Sequence, residues 1–249
     1  MGARRARILA ELGHTVFCRD FEVARAESLA AEVGGYVLNS APVEAAFIST
    51  WPASHIHLAL EAARSGAHVF IEKPLALFED GLDELEREAE AHGVKVMVGC
   101  NWRFHPVIAS LPMIVGPSKL DIEFTIAPRG TVGESLERGG GVMLDMGSHA
   151  LDLATHILGP MTHFLGGWPT TTMHGIHTAS MLLSYTGTER RRLTLRTDGQ
   201  CVEHELTPDP IMYEHEMAHF LRATETGAPH MNPLSEARDT LRRLLKVGK

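Results

Sequence analysis

Over the first hundred residues, short apolar runs alternate with stretches whose apolar positions recur at helical spacing. Residues 2–12 (GARRARILAEL) carry Ile8, Leu9 and Leu12 along one edge and reach Gly13, where a helix stops. Residues 15–19 (TVFCR) read as a short buried strand ending at Asp20. Residues 23–32 compose a helix closed by Gly34 and Gly35, and residues 45–49 form a buried strand, with Pro52 and Ser54 marking the turn after it. A helix over 55–65 stopped by Gly66, a strand over 68–71, a charged helix over 81–92 and a strand over 94–98 complete the series. This alternation predicts an α/β class with a parallel sheet covered on both faces.

The pattern changes near residue 103. Residues 120–126 alternate like a half-exposed strand, and residues 139–158 read as one Gly-capped helix. Residues 162–206 hold several strand-like segments, among them 180–185 (SMLLSY) and 191–196 (RRLTLR), and helices follow over 213–226 and 234–247. Two domains are expected: an α/β unit over 1–102, then a smaller α+β unit over 103–249 with a mainly antiparallel sheet.

Composition narrows the partners. A formal charge of −8 with no dense Lys/Arg stripe argues against nucleic acid. The one basic cluster, Arg4, Arg5 and Arg7, reads as a solvated helix face. Apolar residues make up 44% of the chain and charged residues 22%, as in an ordinary globular protein. No apolar run approaches the roughly 18 residues of a membrane span, and the opening residues lack the apolar core of a signal peptide. Cys18, Cys100 and Cys201 lie far apart without a CxxC pair, as expected of idle thiols in a cytoplasmic protein.

Three stretches carry chemistry. Residues 72–74 (EKP) follow an apolar strand, so Glu72 and Lys73 fall at a strand's carboxyl end, where open α/β sheets bind ligands. Pro74 restricts the conformation of Lys73 and helps fix where its amine points. A partly desolvated Lys suits proton transfer. Residues 139–152 (GGGVMLDMGSHALD) put Asp145, His149 and Asp152 on one helical stripe, where a carboxylate one turn from an imidazole can fix its tautomer. Residues 48–55 (ISTWPASH) make the third stretch. The alternative for the first two is bland: a surface Glu-Lys turn, or a solvated acidic helix face with an incidental His.

In order and spacing, these stretches resemble the Gfo/Idh/MocA family, the two-domain sugar and polyol dehydrogenases of the glucose-fructose oxidoreductase and inositol dehydrogenase type. The likeness extends to residues 103–106 (RFHP) and the closing helices. It implies a Rossmann-like first domain and hydride transfer between a nicotinamide cofactor and a secondary alcohol of a sugar, polyol or sugar nucleotide. Lys73, Asp145 and His149 match the family's catalytic groups. Gly2, Asp20, Ser49, Thr50, Pro52, His55, Glu72 and Lys73 fall on its cofactor side, and Arg103, His105 and Asp152 on its substrate side. Asp20 at a strand end suits the ribose hydroxyls of NAD, while Arg19 beside it leaves NADP open. A homo-oligomer is expected by analogy, and no metal is implied.

Two features stand apart. Gly2 stands 18 residues before Asp20, the separation expected of the last glycine of GxGxxG. On that count the parallel sheet is incomplete at its amino terminus: the first strand and the two earlier glycines are not in the sequence. Either the recorded start is late or the chain is a non-catalytic relative that has lost cofactor binding. His215, Glu216 and His219 spell HExxH, two imidazoles one turn apart that could share zinc in a hydrolase.

Overall fold

The computed structural model describes residues 1–39, 41–111, 114, 116–127, 139–159, 163–166, 170–174, 177–185 and 189–247, with side chains left out at 163–166, 170–174 and 247. Helix α1 (Gly2–Glu11), strand β1 (Phe17–Cys18), helix α2 (Val23–Val33) and strand β2 (Tyr36–Val37) come first. Strand β3 (Ala45–Ile48), helix α3 (Pro52–Arg64), strand β4 (His68–Ile71), helix α4 (Leu82–His92) and strand β5 (Val96–Val98) follow. The expected parallel, Rossmann-like arrangement is present in two ladders: β3, β4 and β5 pair in that order, and β1 pairs with β2 separately. Val69, Phe70 and Ile71 of the central strand β4 are fully enclosed, which accounts for their unbroken apolar run. Pro52 begins α3 rather than lying in a turn before it, since its missing N–H costs nothing at a first helical position.

A 3-10 turn (Asn101–Phe104) and a short helix α5 (Pro106–Ala109) lead into β6 (Lys119–Ile126). Helices α6 (Gly141–Asp145) and α7 (Gly147–Leu158) replace the single helix expected over 139–158. The chain breaks there because the Asp145 carbonyl is taken by Lys73 Nζ at 3.1 Å and by Ser148 Oγ at 3.3 Å. Gly140 precedes α6 at φ +78°, and a Cβ there would press into the Leu144 side chain at 2.3 Å.

Strands β7 (His163–Gly166), β8 (Thr170–His174), β9 (Thr178–Tyr185), β10 (Arg190–Thr197) and β11 (Gln200–Glu205) join β6 in a second sheet of order β11-β10-β6-β9-β8-β7. Only β6 and β9 run parallel in it, so the sheet is mainly antiparallel, as expected. Of the span read as strands, residues 162, 167–169, 175–176 and 186–188 lie outside the described residues. The inner face of this sheet packs Leu120, Ile122, Met181, Leu183, Leu193 and Leu195 against Leu151 and Leu153 of α7.

Helices α8 (Ile211–Thr226) and α9 (Leu234–Val247) end the chain. They pack back on the first half: Phe220 of α8 meets Phe47 and Phe70 at ring-centroid distances of 5.5 Å, and Pro233 bridges to Met97 of β5. Among the described residues no helix is long and apolar enough to cross a membrane.

Candidate active site

Strand β4 stops at Ile71, and the next residues carry Lys73 to the mouth of the second sheet. Its Nζ lies 2.5 Å from Asp145 Oδ1, and Tyr185 at the end of β9 donates its hydroxyl to Asp145 Oδ2 at 2.9 Å. Burial works to raise the Asp145 carboxyl, but the Lys73 ammonium and the Tyr185 hydroxyl outweigh it and hold the group below the usual carboxylate range. His149, one turn into α7, borders the same cavity of about 170 Å³ as Lys73 and Asp145. Enclosure, followed by the charge on Lys73, pushes the His149 imidazole well below its ordinary value, so it is neutral. Its Nδ1 is buried with no hydrogen-bond partner among the described residues. Asp145 therefore does not fix the His149 tautomer as the stripe suggested; its oxygens are engaged by Lys73 and Tyr185.

Lys73 apart, the residues expected on the cofactor side separate into two groups. Gly2 opens α1 close to the turn after β3, since a Cβ added to it would stand 3.5 Å from Ser49 Cβ. Ser49 Oγ is buried without a partner among the described residues, Thr50 is exposed with its hydroxyl 2.7 Å from that of Ser54, and Asp20 is exposed just beyond β1, accepting the Glu22 N–H at 2.9 Å. Thr50 and Asp20 are thus accessible, and Gly2 and Ser49 are partly so. Arg19 turns away to Glu61 at 2.6 Å.

The other three are structural in their contacts. Pro52 is buried in the first turn of α3. His55, 1% exposed, sits between the Pro74 carbonyl (Nδ1, 3.0 Å) and the Thr50 carbonyl (Nε2, 3.1 Å) and ties the two loops together. Glu72 points inward to Arg5 at 2.6 Å, and the same guanidinium reaches Glu216 at 2.7 Å. Arg5 is thus 2% exposed and lies over the Phe70 ring, so the basic cluster of α1 is not wholly a solvated face.

The expected substrate residues are likewise occupied. Arg103 and Asp152 form a buried two-pronged pair (2.9 and 2.6 Å), with Glu236 3.1 Å from the guanidinium. His105 is buried: Nδ1 accepts the Val107 N–H to cap α5, and Nε2 lies 3.0 Å from the Thr207 carbonyl. None of the three borders the cavity of Lys73 and His149. Neither do the HExxH residues converge. His215 is exposed, Glu216 is enclosed against Arg5, and His219 Nε2 accepts the Met231 N–H at 2.9 Å.

Sequence reasoning missed Tyr185, Arg191, Asn101 and Tyr213, which border the cavity or touch Asp145. Tyr185 closes a segment already read as a strand, and Arg191 opens another. What the sequence lacked was the strand order that sets β9 and β10 on either side of β6.

A family model described as an oxidoreductase family with an NAD-binding Rossmann fold matches residues 7–100. The myo-inositol dehydrogenase Hyg17 of Streptomyces leeuwenhoekii is 34% identical over 119 residues, 45% of this chain and 37% of that protein. The matched stretch thus spans little more than a third of that curated relative's length. Among solved structures, UDP-N-acetylglucosamine 3-dehydrogenase GnnA of Acidithiobacillus ferrooxidans superposes with a TM-score of 0.82 at 22% identity, covering 99% of this chain and 92% of its own. GenD2 from gentamicin A biosynthesis, solved with NAD, gives 0.82 at 18% identity over 100% and 90%. These superpositions show that the chain shares the fold of both proteins. In sequence, the similarity to this oxidoreductase family is carried by residues 7–100.

Proposed function

We propose that the protein is an NAD(P)-dependent oxidoreductase acting on a secondary alcohol of a sugar, polyol or sugar nucleotide. The observation that carries this reading is the meeting of Lys73, Asp145 and His149 at one cavity beyond the carboxyl ends of a parallel sheet. In this reading residues 1–102 serve the cofactor, and residues 103–249 complete the substrate side and offer the outer sheet face for a homo-oligomer. The free thiols of Cys18, Cys100 and Cys201 accord with a cytoplasmic setting.

Gly2, Ser49 and Asp20 have chemistry suited to a dinucleotide. Gly2 begins a helix whose free N–H groups favour phosphate, and the Ser49 Oγ beside it, without a partner among the described residues, would gain one from such a ligand. Asp20 offers a carboxylate to ribose hydroxyls, and with Arg19 drawn off to Glu61 the preference is for NAD over NADP. When bound, the nicotinamide supplies the hydride acceptor or donor. The Lys73 ammonium, held by Asp145, donates a hydrogen bond to the reacting substrate oxygen. His149, neutral and facing the same space, takes the proton from that oxygen during oxidation and returns it during reduction.

Titrating NADH and NADPH while following nicotinamide fluorescence tests the reading. Saturable NADH binding, and NADH formation with a sugar or polyol panel that Lys73→Ala abolishes, is the expected result. No nicotinamide binding overturns it.

A further inference from the structure

Strand β10 runs beside β6 with Leu195 opposite Leu120, Leu193 opposite Ile122 and Arg191 opposite Phe124. The first four are at most 1% exposed, and Phe124 is 3% exposed. Continued by one step, this inner row calls for another apolar side chain, and the sequence supplies a guanidinium. Its side chain is only 17% exposed, and it borders the cavity of Lys73, Asp145 and His149. It stands near enough to His149 to depress the imidazole further.

Two cations, Lys73 and Arg191, therefore face this cavity with the carboxylate of Asp145, and Asp145 is committed to Lys73. Arg191 is steadied from the solvent side by Glu189, whose Oε1 accepts from Nη1 at 2.5 Å while its side chain remains 40% exposed. A guanidinium has five donors in a planar fork, and among the described residues the Glu189 contact at Nη1 engages only part of it. Placing such a group at the end of an apolar row is unfavourable unless it is matched by an acceptor. The fork suits carboxylate or phosphate oxygens better than a single hydroxyl.

Resting on the dehydrogenase reading above, we propose that Arg191 selects sugars or cyclitols that carry an oxyanion, a carboxylate or a phosphate, on the ring being oxidised. A structural strut to Glu189 is the competing role, and it predicts no discrimination among sugars.

Calorimetric titration of glucuronate, glucose 6-phosphate and glucose into the protein, with and without NADH, decides between them. The expected result is that at least one charged sugar binds about 10- to 100-fold more tightly than glucose, the range of one charge-assisted hydrogen-bond pair. Arg191→Gln collapses that ratio toward unity, and Arg191→Lys, which keeps the charge but not the fork, retains part of it. Circular dichroism on both variants checks that the fold is kept. Whichever charged sugar responds identifies the carboxylate or phosphate source.

Equal binding of charged and neutral sugars, equal losses for both in Arg191→Gln, or no binding of any sugar overturns the proposal. If NADH binds and neutral sugars are oxidised without this preference, Arg191 selectivity falls while the dehydrogenase reading stands. If charged sugars bind through Arg191 and no hydride moves, the selectivity stands and the dehydrogenase reading falls.

Discussion

Lys73 Nζ and Asp145 Oδ1 meet at 2.5 Å although 72 positions separate them, and Tyr185 holds the second carboxylate oxygen at 2.9 Å. The contact fixes an amine from the end of β4 against the break between α6 and α7. The ammonium is thereby aimed and kept beside its counter-charge, and the carboxylate has little freedom to act as a base.

Asp145→Asn keeps the shape and removes the charge. We expect kcat to fall about 10²- to 10⁴-fold, the usual worth of a positioned proton-transfer group. Near-ultraviolet circular dichroism should be unchanged, and Tyr185→Phe should have a smaller effect. Steady-state kinetics on the three proteins provides the check, and a neutral outcome for Asp145→Asn would remove the pair from the mechanism.

His149 is held well below its ordinary value of 6.5 by enclosure and then by Lys73. It remains neutral as pH drops through 6.5, so the acid limb of kcat/KM should lie below that pH. The same depression has a stability consequence. The unfolded imidazole takes its proton near 6.5 and the folded one only at lower pH, so folding stability declines as pH falls below 6.5. A pH–rate profile with its acid limb at or above neutrality would contradict the assignment.

Arg103 and Asp152 test whether the sequence reading of them as substrate contacts has any part in function. Removing one partner of a buried pair leaves an uncompensated charge, so Arg103→Ala should cost about 3–5 kcal/mol in denaturant unfolding. Its effect on KM should be minor in whatever folded fraction remains. A large rise in KM with stability unchanged would restore the substrate role.

Glu216 shares Arg5 with Glu72, and burial raises its carboxyl from 4.5 to about 7. Its folded value is above the unfolded one, so its contribution to stability is full below pH 4.5 and is lost as pH rises through 7. Glu216→Gln should therefore flatten the stability profile across that window. Urea midpoints measured at closely spaced pH values would show it, and parallel profiles for the two proteins would rule it out.

Much of this molecule was legible in its sequence because the information was local. Lys73 follows an apolar run that could only be a buried strand, and Asp145 and His149 flank one helical turn behind a glycine triplet. Contacts that depend on distant partners were not legible. The helix break at Met146 follows from Lys73 claiming the Asp145 carbonyl. Arg5 looked solvated because the carboxylates that bury it lie 67 and 211 positions away. Arg103, His105 and Asp152 matched a motif, yet hydrogen bonding within the protein consumes their polar atoms.

The Arg5–Glu216 contact also bears on how the polypeptide matures. Phe220 fills the space beside Phe47 and Phe70, and Glu216 supplies one of the two carboxylates that neutralise Arg5 and accepts the Cys100 N–H. A ribosome that has released only the first hundred residues has made every strand of the parallel ladders but none of this covering. That segment must wait, with Arg5 matched by Glu72 alone and its aromatic rings bare, until residues 211–226 emerge. Vectorial synthesis therefore cannot finish the packing around Arg5 and Phe70 before α8 is made.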